Sequence, residues 1–205
     1  MSDTIDFYWD IGSTNSYFAL KLLVPLAERY QTPIIFHPFN LGYVFRANNY
    51  VLMEEPKAKL INRRDDLMRW AKKYQLPFQV PTEFPIKTSR ALRGAIAMRK
   101  WDKELDFINE IFSAYWEQGD ASVAEYGTLR RIAAKIGADP DEFEAECESD
   151  EVRQALIDST DTALERGVFG VPTTVVGEEL YWGKDRMDFI EDHLAQLSSQ
   201  SKANG

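Results

Sequence analysis

The order of apolar patterns along the chain predicts an α/β fold: a βαβ unit at the start, an all-helical middle, and a ββα unit at the end. Three observations carry this. Two short apolar runs flank one amphipathic stretch within residues 1–43. Helical periodicity fills residues 44–166. Two short apolar runs then flank Gly177-Glu178, and an amphipathic stretch closes the chain. The chain has 205 residues and 44% hydrophobic composition, enough for one sizeable core or for one domain with an insertion.

"TIDFYWDI" is short, apolar and aromatic and ends at Gly12, so it reads as a buried strand. "NSYFALKLLVPLAERY" places Tyr17, Leu20, Val24 and Ala27 in helical register, with Pro25 as an expected kink. "TPIIFHPFNL" is a second strand, and the short links make the two strands parallel neighbours. In the middle, "DDLMRWAKKYQL", "SRALRGAIAMRKW" and "ELDFINEIFSAYWEQG" have helical spacing. "EYGTLRRIAAKIGADP" and "DEVRQALIDSTDTALERG" read as helices with ordinary stops, the first at Gly137 and Pro140 and the second at Gly167. "VPTTVVG" and "ELYWG" form a tight hairpin around Gly177-Glu178, so they are antiparallel, and "DRMDFIEDHLAQL" is the last helix. Residues 1–43 and 167–205 together give the thioredoxin-like fold, with 44–166 as a large helical insertion. An ordinary doubly wound fold is the alternative, disfavoured by the hairpin.

Composition excludes several functions. The formal net charge is -9, which disfavours a nucleic-acid groove or an anionic membrane surface. No apolar run reaches the length of a membrane-spanning helix, and "MSDTIDFYWDIG" lacks the features of a signal peptide, so a soluble cytoplasmic protein is expected. The single cysteine, Cys147, lies in the acidic run "EFEAECESDE". It forms no internal disulfide and no cysteine-rich metal site, and neighbouring carboxylates should raise its pKa. No metal is expected, and His37 and His193, without partners at a motif's spacing, receive no catalytic role.

The stretch "GSTNS" stands where the first strand gives way to the first helix. A helix start presents unpaired N–H groups and partial positive charge, a place that stabilises an anion. Either Ser13 or Thr14 is simply an N-cap there, or Ser13 is an anion-holding hydroxyl. The later "GVFGVPTTVV" sets Val171-Pro172 just before a strand. In a thioredoxin-like fold this proline is cis and lies opposite the helix start, where the preceding residue's backbone pairs with an extended peptide. Ser13 and Ser16 occupy an S-x-x-S spacing that cannot exchange disulfides. A serine hydroxyl can instead donate to a thiolate carried by another molecule, and glutathione carries a thiol on a peptide backbone.

From "IDFYWDIGSTNSYFA" to "GVFGVPTTVVGEELYWGKDRM" the chain resembles the 2-hydroxychromene-2-carboxylate isomerases and the related kappa-class glutathione transferases, which have a DsbA-like thioredoxin fold with a helical insertion. The resemblance implies that Ser13 is catalytic and holds the glutathione sulfur. It implies that Val171, before cis-Pro172, pairs with the cysteinyl backbone. Trp182, Gly183, Lys184 and Asp185 look like the clamp on the γ-glutamyl end. Trp182 could equally be core packing, and Asp185 could cap the last helix. Ser16 is implied to support the helix. In "RANNYVLMEEPKAKL", Asn49 and Lys59 match substrate-binding residues of the family, the lysine facing a carboxylate; a solvated loop is the other reading. Three positions depart from the family: Thr14 stands for a proline, and Lys184 and Lys87 add positive charge. The implied activity is glutathione-dependent isomerisation of a small aromatic carboxylate in aromatic degradation, by a homodimer with glutathione as cofactor. A kappa-like transferase and a non-catalytic thiol-peptide binding module are the rivals.

Overall fold

The computed structural model describes residues 4–51 and 54–203. The chain divides into two compact units: one runs up to Phe39 and resumes at Ser159, and the other is Asn40–Asp158.

In the first unit, β1 (Ile5–Trp9), β2 (Ile34–Pro38), β3 (Thr173–Val176) and β4 (Glu179–Trp182) form one sheet in the order β2-β1-β3-β4. Strand β1 runs parallel to β2, and β3 runs antiparallel to both β1 and β4. Helix α1 (Thr14–Tyr30) connects β1 to β2, as a parallel pair requires. It continues unbroken through Pro25 and ends at Gln31, a left-handed residue whose N–H returns to Ala27 O and Glu28 O. The sheet, its parallel and antiparallel pairs and its hairpin are those of the thioredoxin-like fold that the sequence predicts.

The strand period of two explains which residues are buried. Ile5, Phe7 and Trp9 share one face of β1 and are fully buried. The alternate residues, Asp6 and Tyr8, share the opposite face with His37 of β2. There His37 Nε2 lies 2.8 Å from Asp6 Oδ1, and the Arg166 guanidinium donates to Asp6 Oδ2 at 2.7 Å and to the Tyr8 hydroxyl at 3.1 Å.

The second unit contains α2 (Leu41–Ala47), α3 (Lys57–Tyr74), α4 (Ser89–Ala97), α5 (Glu104–Phe112), α6 (Tyr126–Lys135) and α7 (Pro140–Glu148). Its core is aromatic: Phe107, Phe112, Phe143, Tyr115 and Trp116 are fully buried. Helix α8 (Asp150–Glu165) follows, and the boundary between units falls within it. The last helix of the first unit is α9 (Met187–Ala203), which packs with α1.

Two helix starts differ from the sequence reading. Pro140 does not stop a helix; it opens α7, where its missing N–H is harmless. Asp139 caps that helix, accepting from the N–H groups of Asp141 and Glu142 at 2.9 Å each. Asn40 caps α2, its Oδ1 accepting from Tyr43 N–H at 3.0 Å, so helix begins before residue 44. Among the described residues, no helix is long and apolar enough to cross a membrane. No group of metal-ligating side chains occurs among them either.

Candidate active site

The link between β1 and α1 sets the position of Ser13. Asp10 is almost fully buried; its Oδ1 accepts the Gly12 N–H at 2.8 Å and its backbone carbonyl accepts the Ser13 N–H at 3.0 Å. These two bonds form a tight turn that presents Ser13 as the N-cap of α1. Asp10 was not singled out in the sequence; an aspartate two residues before a glycine at a strand end was the signal available.

Ser13 has extended backbone, φ -94° and ψ 112°, and is 8% exposed. Its Oγ accepts the Ser16 N–H at 3.2 Å, so the capping role is present. The same Oγ donates to the carbonyl of Val171 at 3.2 Å, across 158 residues of sequence. The Val171–Pro172 peptide is cis. A helix start leaves the N–H groups of Thr14 and Asn15 without intrahelical acceptors. One small region thus gathers a hydroxyl, a helix start and the carbonyl before a cis-proline. Ser16 is fully buried, and its Oγ has no hydrogen-bond partner among the described residues.

The turn before β3 and the end of β4 are joined at the same place. Thr173 Oγ1 donates to Gly170 O at 2.6 Å, and the Gly183 N–H donates to Pro172 O at 3.0 Å. Gly183 has φ +110°, and a Cβ there would stand 2.7 Å from Asp185 Oδ1, so only glycine fits. The Asp185 carboxylate therefore folds back over Gly183, while its Oδ2 accepts from Arg186 at 2.7 Å. Asp185 stands two residues before α9, and the capping carbonyl is that of Arg186, which accepts the Ile190 N–H at 3.1 Å. Trp182 is 51% exposed, which removes the core-packing reading. Lys184 is half-buried.

Ser13, Val171, Pro172, Trp182, Gly183, Lys184 and Asp185 thus belong to one unit, and Asn49 and Lys59 to the other. Asn49 is exposed and left-handed, φ 52°, and its N–H closes on Arg46 O at the end of α2, a stop that asparagine tolerates. Lys59 Nζ donates to Glu55 Oε1 at 2.9 Å. Tyr50 donates to the same oxygen at 2.7 Å, and Arg63 binds the other oxygen. Hydrogen bonds from Tyr50 and Lys59, with the charge of Arg63, hold the Glu55 carboxyl down at about 2. Lys87 is exposed.

The model of the DSBA-like thioredoxin domain matches residues 4–195. The chain belongs to the DsbA-like thioredoxin family. Within that family it is 31% identical to the 2-hydroxychromene-2-carboxylate isomerase of Pseudomonas putida, over 96% of this chain and 97% of the relative. It is 33% identical to the enzyme of the same name from Sphingobium xenophagum, over 95% and 99%. The kappa 1 glutathione S-transferase of Caenorhabditis elegans is more distant, 24% identical over 94% and 91%. A solved 2-hydroxychromene-2-carboxylate isomerase superposes with a TM-score of 0.86 at 30% identity, covering 98% of this chain and 99% of that one. The relatives thus include isomerases and a transferase that match more than nine-tenths of this chain.

Proposed function

We propose that the protein is a glutathione-dependent isomerase of the 2-hydroxychromene-2-carboxylate type, acting on a small conjugated aromatic acid. The observation that carries the reading is the Ser13 hydroxyl at the start of α1, 3.2 Å from the carbonyl before cis-Pro172. The isomerase relatives support the reaction class, and the kappa-class relative supports the thiol.

The residues of the first unit fit glutathione. The Ser13 hydroxyl and the first N–H groups of α1 suit a thiolate. The Val171 backbone suits the cysteinyl backbone. Asp185 suits the γ-glutamyl ammonium, which would share the carboxylate with Arg186. Bound there, glutathione would supply a thiolate for reversible addition to a conjugated carbon of the acid. Ser13 holds the sulfur, and the site orients the acid against it. In this reading glutathione would be a cofactor, not consumed. The same reading includes a homodimer working in the cytoplasm.

The test is to follow 2-hydroxychromene-2-carboxylate by absorbance with purified protein, with and without glutathione. Glutathione-dependent isomerisation with the thiol unconsumed is the expected result. A stable thioether product would make the protein a transferase, and binding without turnover would make it a thiol-peptide module.

A further inference from the structure

We propose that Asp10 is a positioning residue for the Ser13 site: its side chain fixes where the Ser13 hydroxyl stands and thereby how strongly the site holds a thiolate. The assignment rests on the glutathione reading. Asp10 is 1% exposed. A carboxyl group that deep is costly to bury unless it is hydrogen-bonded. Its Oδ1 accepts the Gly12 N–H at 2.8 Å, and its backbone carbonyl accepts the Ser13 N–H at 3.0 Å. Asp10 thus grips the two residues that lead into α1.

The strands on either side of the site are fixed to each other. Tyr8 of β1 stands opposite Thr173 of β3 in antiparallel register. Trp9 O accepts the Phe39 N–H at 2.8 Å, which holds the end of β1 from the β2 side. From Thr173 the chain runs back two residues to Val171, whose carbonyl receives the Ser13 hydroxyl at 3.2 Å. From Trp9 it runs forward through residues 10–12 to Ser13, and the Ser13–Val171 bond closes the circuit. Residues 10–12 are the part of this circuit outside the strands. Glycine has more backbone freedom to lose than any other residue, so Gly12 is its loosest point, and the Asp10 side chain restrains it there. The closing bond has little slack, because a side-chain hydrogen bond is lost by about 3.6 Å. The bond that caps α1, from the Ser16 N–H to the same Ser13 Oγ, is also 3.2 Å long.

Geometry rather than charge is the contribution. A negative group near the sulfur would disfavour a thiolate, the opposite of what the site needs. The useful part of Asp10 is its acceptor oxygen. Asparagine keeps that acceptor, and serine replaces it with a hydroxyl that makes the same kind of turn more weakly. Alanine has neither.

The experiment titrates the thiolate absorbance of bound glutathione in Asp10→Asn, Asp10→Ser and Asp10→Ala, with circular dichroism to verify folding. All three replacements are uncharged, so the differences among them report the acceptor. The bound pKa should be about one unit higher in Asp10→Ala than in Asp10→Asn, with Asp10→Ser between them. Combined with Ser13→Ala, the same replacements should give equal values. A parallel series on Ser13→Cys needs no ligand, because the thiol belongs to the chain. The introduced thiol should again titrate about one unit higher with Asp10→Ala than with Asp10→Asn. Burial pushes the other thiol, Cys147, up to about 12, away from this range. Equal values for Asp10→Asn and Asp10→Ala in both series overturn the assignment. A difference that survives Ser13→Ala also overturns it, because Asp10 would then act without Ser13. If Asp10→Ala does not fold, Asp10→Ser against Asp10→Asn decides in the same way. If wild type binds no glutathione, the glutathione reading fails, and the Ser13→Cys series still decides the role of Asp10. If glutathione binds and Asp10→Asn and Asp10→Ala titrate alike, that reading stands and the positioning role fails.

Discussion

Ser13 has one hydroxyl proton and gives it to Val171 O. To hold a thiolate it must release that carbonyl, and the release frees Val171 O to accept the N–H of a bound peptide. In the proposed complex one rotation would serve both the thiolate and the peptide N–H. A bond to a charged acceptor is worth about 1.5–3 kcal/mol and the bond given up about 1 kcal/mol, so the net is about 1 kcal/mol, or roughly one pKa unit. Titrating the thiolate absorbance of bound glutathione should therefore show a pKa about one unit higher in Ser13→Ala than in wild type. S-methylglutathione has no proton-accepting thiolate, and it should bind Ser13→Ala at least as well as wild type. Equal losses for both ligands would reduce Ser13 to a helix cap. Ser16→Ala is the control: its buried hydroxyl has no partner among the described residues, and the bound pKa should not move. The sequence made Ser13 legible through turn and cap chemistry, both local. The acceptor of its proton was not, because Val171 lies 158 residues away. Cys147 was read correctly in direction and incompletely in cause. Burial pushes its thiol up to about 12 against the pull of Arg93, and Glu148 and Glu146 add less.

The elements show where local pattern suffices and where register is needed. Strand β1 could be read from its composition, whereas the partners of Asp6 and Tyr8 on its other face could not. His37 meets Asp6 because β1 and β2 pair in parallel with Tyr8 opposite His37, and Arg166 comes from the end of α8. The sequence accordingly gave His37 no partner. Burial alone would raise the Asp6 pKa, but the hydrogen bonds from Arg166 and His37 outweigh it and lower the pKa below the ordinary 3.8. A carboxylate with a depressed folded pKa stabilises the protein fully above its unfolded value. That contribution disappears as pH falls through the folded value. Asp6→Asn should cost about 1 kcal/mol at neutral pH, a figure reduced for the solvent access of Arg166. As pH falls through the folded value the difference should shrink. Urea unfolding of both proteins across a series of falling pH values measures it, and a constant difference would mean that Asp6 acts through packing. Pro140 read as a stop because proline punctuates both ends of helices, and only the Asp139 side chain decides that it opens α7.

At the scale of the molecule, the two ends of the chain form one thioredoxin-like sheet, and the helix that follows its first strand carries Ser16 and is capped by Ser13. The fold was legible because the order βαβ, then ββα with a tight hairpin, admits few topologies. The middle was legible only as helix, since apolar periodicity gives helix type and not the neighbours each helix chooses. If the Ser13 site is a thioredoxin-type thiol site, restoring thiols should restore thiol–disulfide exchange. Position 13 is 8% exposed at the start of α1, and position 16 is fully buried one turn further in. A cysteine at position 13 would have a lowered pKa from the helix start, and one at position 16 would be placed to resolve a mixed disulfide. Wild type, with serines there and a buried Cys147, should not accelerate insulin reduction by dithiothreitol. The double variant Ser13→Cys, Ser16→Cys should shorten the lag before insulin precipitates by several-fold. Mass spectrometry verifies the new disulfide and circular dichroism the fold. Wild-type activity abolished by Cys147→Ser would contradict the reading. A folded, oxidised double variant without activity would also contradict it, because the helix start and the Val171–Pro172 turn would then not form a working thiol site.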